Sequence, residues 1–323
     1  MPYDIVIQFY TGSADGNAFF SAEPFFRIAD MNAATAASLE VFAVLSVATL
    51  ACRGVALFWP SEEIKRVWVR IKSWWVIAAI PLLCLSLGPL AVSLLFVLVI
   101  AGAVLEFLSL IGLRRLRGLW IGGSVAVAIC LSWHLPKASS ATGVTYLLGL
   151  AVVWGLLTLG RRGHRLWGSL FLAGSLGLVP VFMRILPIDA FGAVFFLLFI
   201  TSLNDVFQYL AGKAVGGWPL APTLSPRKTW SGFIGGLIGS GLTASLLGPH
   251  FLSVHTSDAF MVGVLLATAG TLGDLTVSLF KRRAEVADTG RLLPGHGGLL
   301  DRLDSLCLTA PAFYGLILLK VLV

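Results

Sequence analysis

Residues 278–305 read SLFKRRAEVADTGRLLPGHGGLLDRLDS, with apolar sequence on either side. The stretch holds five basic and four acidic residues around the turn Pro294-Gly295-His296-Gly297-Gly298. Its flanks, 259–280 and 305–322, are apolar and, as helices, of the length that crosses roughly 30 Å of hydrocarbon. The charged segment therefore reads as a junction between two membrane helices. Charge and glycine at such density beside a bilayer are the ingredients of a site for phosphates and a divalent metal.

Composition supports the same class along the whole chain. Of 323 residues, 57% are hydrophobic and only 12% charged, and the mean hydropathy is +0.91. These values exclude a soluble globule. Apolar runs fall at about 33–59, 74–87, 90–112, 119–135, 143–159, 166–183, 188–211, 231–249, 259–280 and 305–322. The fold expected is all-α and polytopic, with about ten transmembrane helices. As one helix the run from Trp74 to Ile111 would be roughly 57 Å long, nearly twice the hydrocarbon core, so it is broken at Gly88-Pro89. Cys52, Cys84, Cys130 and Cys307 lie singly in apolar sequence, which indicates neither disulfides nor a zinc site.

Lysine and arginine give the orientation. Five segments carry 18 of the 23, namely 65–72, 114–117, 161–165, 213–228 and 281–302, and they alternate with nearly uncharged ones. Under the positive-inside bias these five face the cytoplasm, and both termini face outward. The net charge of +7 thus records topology and gives no case for nucleic acid. Residues 1–32 form an outward tail without the basic start of a cleaved signal peptide. Residues 60–75 place Ile64, Val67, Trp68 and Ile71 against Lys65, Arg66, Arg70 and Lys72, as a helix lying in the interface against membrane lipids would.

Residues 33–199 show little chemistry. Glu40 and Glu106 read as packing carboxyls or partners of Arg53, with no catalytic role. The second part, 200–323, differs, because clustered ionisable groups within membrane helices are costly and need partners. Asn204, Asp205 and Gln208 form one cluster; Asp274, Ser278, Lys281 and Glu285 share one face of a second helix; Asp301, Asp304 and Ser305 open the last span. The bland alternative is a buried ion-pair network in which Lys281, Arg282 and Arg302 neutralise these acids. Two cytoplasmic loops, 212–230 and 281–304, join the clusters.

The first of these loops lies in GKAVGGWPLAPTLSPRKTWSGFIGG, residues 212–236. Ser225-Pro226 reads as an N-cap followed by proline in the first turn. Arg227 and Lys228 would then crowd the positive end of a helix, a conflict that a bound phosphate resolves. Gly232, Gly235, Gly236 and Gly239 suit close helix packing.

The run Ser278, Lys281, Arg282, Asp288, Pro294 to Gly298, Asp301, Arg302 and Asp304 resembles the signature of phosphatidate cytidylyltransferases, or CDP-diacylglycerol synthases. Gly273-Asp274 and Ser225 to Trp230 are similar to that family's upstream motifs. The resemblance covers about 200–310. It implies a membrane nucleotidyltransferase that takes CTP and phosphatidate, uses Mg²⁺, and works at the cytoplasmic face of a cell inner or plasma membrane. On that basis Asp274, Asp301 and Asp304 are expected metal ligands, with Asp205 and Asp288 as further candidates. Lys213, Ser225, Arg227, Lys228, Lys281, Arg282 and Arg302 are expected at the substrates, and Gly297 and Gly298 would let backbone N–H groups approach a phosphate. His296 is expected to serve as acid or base, to touch a phosphate, or to hold its turn. A homodimer is compatible with this reading.

Three positions depart from the pattern: Ala287 where lysine is common, Val277 where an acid often stands, and Ser231 where Glu or Gln is usual. Arg283 or Arg291 is the expected substitute for the missing cation. The alternatives are a transferase or kinase acting on another lipid phosphate, an inactive paralogue, and a transporter; the last would show paired interrupted helices in two halves, which this sequence lacks.

Overall fold

The computed structural model describes residues 62–112, 117–137, 139–159, 167–186, 190–290 and 297–322, with part of 41–54. The helices are α1 (Glu62–Leu87), α2 (Pro89–Leu110), α3 (Arg117–His134), α4 (Ser140–Leu159), α5 (Trp167–Leu176), α6 (Leu178–Ile185), α7 (Ala190–Val215), α8 (Trp230–Phe251), α9 (Thr256–Arg283), α10 (Leu300–Leu303) and α11 (Leu306–Leu318). Among the described residues, seven helical stretches are long and apolar enough to cross a membrane, with α5 and α6 counted as one. Shorter apolar helices occupy 41–54, 75–87 and 306–318. The protein is a helical, multi-pass membrane protein.

The break at Gly88 falls where the length argument puts it. Gly88 has φ 95°, a conformation open to glycine, and Pro89 starts α2. The segment around 60–75 is not a separate interfacial helix, because α1 continues from it without interruption to Leu87. Its Trp68 ring lies 5.2 Å from the Arg53 guanidinium carbon and 5.3 Å from the Lys72 ammonium. The tail 1–32 and Glu40 lie outside the described residues.

The apolar core forms where α2, α5, α6, α7 and α11 meet. Phe107, Phe171, Phe182, Phe196 and Phe313 are fully buried there, and Phe182 meets Phe313 edge to face at 5.2 Å.

The glycines of α8 bring it against α7. A Cβ on Gly232 would stand 2.7 Å from the Gln208 carbonyl, one on Gly236 2.6 Å from Gln208 Cγ, and one on Gly239 2.5 Å from the Phe207 ring. Gly263 of α9 does the same against the Ser240 carbonyl of α8, at 2.5 Å. Three helices are thus drawn together as small residues allow. They bury polar groups that bond to one another: Gln208 Nε2 donates to Thr271 Oγ1 at 2.9 Å, and Asn204 Nδ2 to the Ala267 carbonyl at 3.3 Å.

One all-α expectation needs correction. Residues 212–230 hold an antiparallel hairpin of β1 (Pro219–Ala221) and β2 (Ser225–Thr229), paired Pro219 to Thr229 and Ala221 to Ser225. Ser225 is therefore a strand residue and caps no helix. The N-cap of α8 is Thr229, whose Oγ1 accepts from Gly232 N at 3.1 Å. Thr229 wins because its side chain sits three residues before the N–H that needs a partner, with extended backbone.

Candidate active site

Lys228, one residue before the cap of α8, points at α9. Its ammonium lies 2.5 Å from Asp274 Oδ2, and Asp274 Oδ1 accepts from Ser278 Oγ at 3.2 Å, one turn along. Asp274 is brought against the start of α11 by Gly273, since a Cβ there would stand 2.5 Å from the Asp304 carbonyl. Asp205 and Asp304 both lie within electrostatic reach of Asp274 and Lys228. Ser305 Oγ approaches Asp205 Oδ2 at 3.5 Å, and Asp304 Oδ1 accepts from Ser305 N at 2.8 Å. Burial would strip the proton from Lys228, but the Asp274 and Asp205 carboxylates beside it outweigh burial and raise its pKa. Three acids from α7, α9 and the α10–α11 junction thus gather around one ammonium from the hairpin.

Asp301 belongs to a different constellation. Its Oδ1 accepts from Lys281 Nζ at 2.9 Å. Its Oδ2 accepts from Thr289 N at 2.9 Å and from Thr289 Oγ1 and Gly298 N at 3.0 Å. Burial would raise the pKa of this carboxyl, yet the bonds from Lys281, Thr289 and Gly298 prevail and hold it below the usual carboxylate range. Four protein donor groups thus engage the Asp301 carboxylate, against two, Lys228 and Ser278, at Asp274. Lys281, expected at a phosphate, is the partner of Asp301.

Glu106 of α2 lies on the other side of the same loop. Its Oε1 accepts from Leu299 N, and its Oε2 from Leu300 N and Thr289 Oγ1, each at 2.9 Å. From the sequence this residue read as a packing carboxyl or a partner of Arg53, with no catalytic role. Its partners are backbone N–H groups and a hydroxyl far along the chain, and an acid in an apolar helix does not announce such partners.

The remaining expected residues spread around these two centres. Lys213 is exposed at the end of α7, its ammonium 5.8 Å from the Tyr209 ring. Arg227 is exposed on β2 and Asp288 on the loop. Arg302 is exposed on α10 and acts electrostatically on Asp205. Arg282 Nε donates to the Leu224 carbonyl at 3.0 Å, tying the end of α9 to the hairpin turn. Gly297 has φ 82° and lies against Asp301 and Asp288. Gly298 donates its N–H to Asp301, so that group is already used by the protein. Pro294, Gly295 and His296 lie outside the described residues, as does Arg291.

The three departures also find places. Ser231 Oγ donates to the Gly216 carbonyl and lies 3.0 Å from Thr229 Oγ1, closing the turn between α7 and β1. Val277 is buried in the core, and Ala287 is exposed. Arg283 donates to the carbonyls of Leu157 at 2.7 Å and Thr158 at 2.8 Å, capping the C-terminal end of α4. It is therefore committed to α4 rather than to the place of the missing lysine.

The profile of the Cytidylyltransferase family matches residues 68–320, most of the chain. The chain belongs to this family. Among its relatives, the Escherichia coli protein YnbB, described as uncharacterized, is 34% identical over 302 residues, covering 85% of this chain and 95% of that protein. A Rickettsia bellii protein named phosphatidate cytidylyltransferase is 34% identical over 209 residues, 62% of this chain and 88% of its own length. One of the same name from Mycobacterium leprae is 44% identical over 140 residues, 42% of this chain and 44% of that protein.

In this cytidylyltransferase the acids at Asp205, Asp274 and Asp304 suit a hard divalent cation by donor type, being oxygen ligands that outnumber the ammonium among them. No three acidic, histidine or cysteine residues among the described residues converge into a ready cage.

Proposed function

We propose that this chain is an integral-membrane phosphatidate cytidylyltransferase. A phosphate-monoester oxygen of phosphatidate attacks the α-phosphorus of CTP, the bond to the β-phosphate bridging oxygen breaks, and pyrophosphate leaves as CDP-diacylglycerol forms. The observation that carries this reading is the convergence of Lys228 with Asp205, Asp274 and Asp304, in a chain whose family is that of cytidylyltransferases. Phosphoryl transfer asks a protein mainly for position and charge neutralisation.

Lys228 supplies a cation already held protonated, and it turns from Asp274 to the substrate phosphates when these arrive. Lys213 at the end of α7 and Arg227 on the hairpin, both exposed, draw the anionic nucleotide in. Arg302 stands at the edge of the acids. Mg²⁺, held by Asp274 and Asp304 with Asp205 beside them, would screen the phosphate charges. Asp288 and Gly297 border the loop, and His296 is the candidate proton carrier within it.

The finer topology follows from the lysine and arginine distribution. The reading has ten spans, termini facing outward, and the loops 212–230 and 281–304 facing the cytoplasm of an inner or plasma membrane. Single cysteines at Thr289 and Ser253 in a cysteine-free protein, probed in intact cells with an impermeant thiol reagent, test it. Labelling at 253 alone is expected, and labelling at 289 alone reverses the orientation.

Ala287, Val277 and Ser231 favour one second reading, the same transfer onto a different lipid phosphate. The deciding experiment incubates purified protein with labelled CTP, Mg²⁺ and a panel of lipid phosphates that includes phosphatidate and a polyprenyl phosphate. A CDP-lipid from phosphatidate is expected; no CDP-lipid from any member of the panel refutes the proposal.

A further inference from the structure

Residues 289–300 carry the glycines of the signature, and a carboxylate from outside the signature holds both Thr289 and Leu299–Leu300. Glu106, on α2, accepts three bonds of 2.9 Å from Leu299 N, Leu300 N and Thr289 Oγ1. Leu299 and Leu300 begin α10, whose first N–H groups have no partner within a four-residue helix. The carboxylate of Glu106 thus supplies, from another helix, the cap that α10 lacks in its own sequence. Bonds from an ionised acceptor to backbone N–H groups are among the stronger hydrogen bonds in proteins.

The glycines fit the same account. A Cβ on Gly290 would stand 2.6 Å from Glu106 Oε1, and one on Gly298 would strike both Glu106 Oε2 and Thr289 Oγ1. Gly102, one turn before Glu106, would bring a Cβ to 2.6 Å from the Leu299 side chain. Small residues on both surfaces let loop and helix close on the carboxylate. Thr289 then joins Glu106 to Asp301, for its hydroxyl has one proton and lies 2.9 Å from the first carboxylate and 3.0 Å from the second. Asp301 passes the connection to Lys281.

We infer that Glu106 is a positioning residue for the transfer reaction: it fixes Thr289 against Leu299 and Leu300, and Gly290 and Gly298 are glycine to admit its carboxylate. The inference rests on the cytidylyltransferase reading for its kinetic arm, but not for its structural one. It also changes the expected use of the glycine turn. The N–H groups of Gly298, Leu299 and Leu300 are filled by Asp301 and Glu106, so these three are not free to hold a phosphate.

The test compares Glu106→Gln and Glu106→Asp with the parent protein in one detergent or nanodisc preparation. Glutamine has the same shape but puts an NH₂ group where one of the donors needs an acceptor, whereas aspartate keeps two acceptor oxygens on a shorter arm. Hydrogen exchange at Leu299 and Leu300 should accelerate in Glu106→Gln, with α7 to α9 still protected. In that variant kcat should fall about a hundredfold, as displacement of a reacting constellation by an ångström does, while the KM for CTP moves less than tenfold. Glu106→Asp should recover part of both losses. Thr289→Ala, which removes one of the three bonds and none of the charge, should accelerate the same amides to a lesser degree, and it replaces Glu106→Gln should that variant not fold. Parent-like exchange at Leu299 and Leu300 in the folded glutamine variant, or in Thr289→Ala in its stead, overturns the inference. So does a fall in Glu106→Gln confined to KM. A parent protein that makes no CDP-lipid defeats the functional reading instead, and the exchange measurement then decides the role of Glu106 alone.

Discussion

Lys228 and Asp274 meet at 2.5 Å between a hairpin strand and a membrane helix, and their side chains are only 18% and 19% exposed. A substrate phosphate that takes the ammonium must therefore displace a carboxylate. Lys228→Met should lower turnover about a hundredfold or more, the scale seen when a preorganised charge stabiliser is removed. Lys228→Arg should retain part of it. CDP-lipid formation from labelled CTP measures both, and parent-like turnover in Lys228→Met would remove this residue from the site.

The two constellations of acids predict different defects. Asp304→Asn should raise the Mg²⁺ concentration for half-maximal turnover about tenfold or more, the scale of losing a group that tunes a metal site. Asp301→Asn should lower kcat at saturating Mg²⁺ without moving that midpoint, because Asp301 is engaged by Lys281, Thr289 and Gly298. A Mg²⁺ titration of each variant separates the outcomes. Equal midpoint shifts would return Asp301 to the ligand set.

Gly298→Ala should be severe. Besides its collisions with Thr289 and Glu106, the new Cβ would stand 2.7 Å from Gly290 N, and backbone cannot step aside cheaply. The expected cost is about 1–3 kcal/mol with loss of most turnover. Gly122→Ala, on α3 with nothing within 4 Å, should leave turnover intact. Thermal melting in detergent, run with the activity assay, compares the pair.

Arg283 supplies a fourth test. Since its guanidinium caps α4 through Leu157 and Thr158, Arg283→Ala should lower stability by about 1 kcal/mol, discounted for its exposure, and leave the KM for CTP unchanged. Ala287→Lys should not rescue it. Alone, Ala287→Lys adds a cation to the exposed loop and should lower the KM for CTP about tenfold. Rescue of Arg283→Ala by the lysine would mean that the arginine serves the phosphates after all.

What could be read from the sequence follows how local each cause is. The break before α2 was legible because helix length against bilayer thickness, followed by Gly88-Pro89, leaves few alternatives. Close packing of a helix against α8 was legible in Gly232, Gly235, Gly236 and Gly239, although not that α7 is the partner. Asp274 and Lys228 were both recognisable as charges that need partners, although their pairing was not. The hairpin was missed because strands of three and five residues, each with a proline, carry no readable period. The donors that engage Asp301 were not legible for a related reason: Thr289 and Lys281 lie 12 and 20 residues away along the chain, and nothing local in the sequence pairs them with this carboxylate.

The bond from Arg282 to the Leu224 carbonyl means that the hairpin bearing Lys228 and the chain leading to Asp288 share one mooring, the C-terminal end of α9. Neither is a free flap over the acids. Strain introduced into either span of chain is handed to the other through that single helix end.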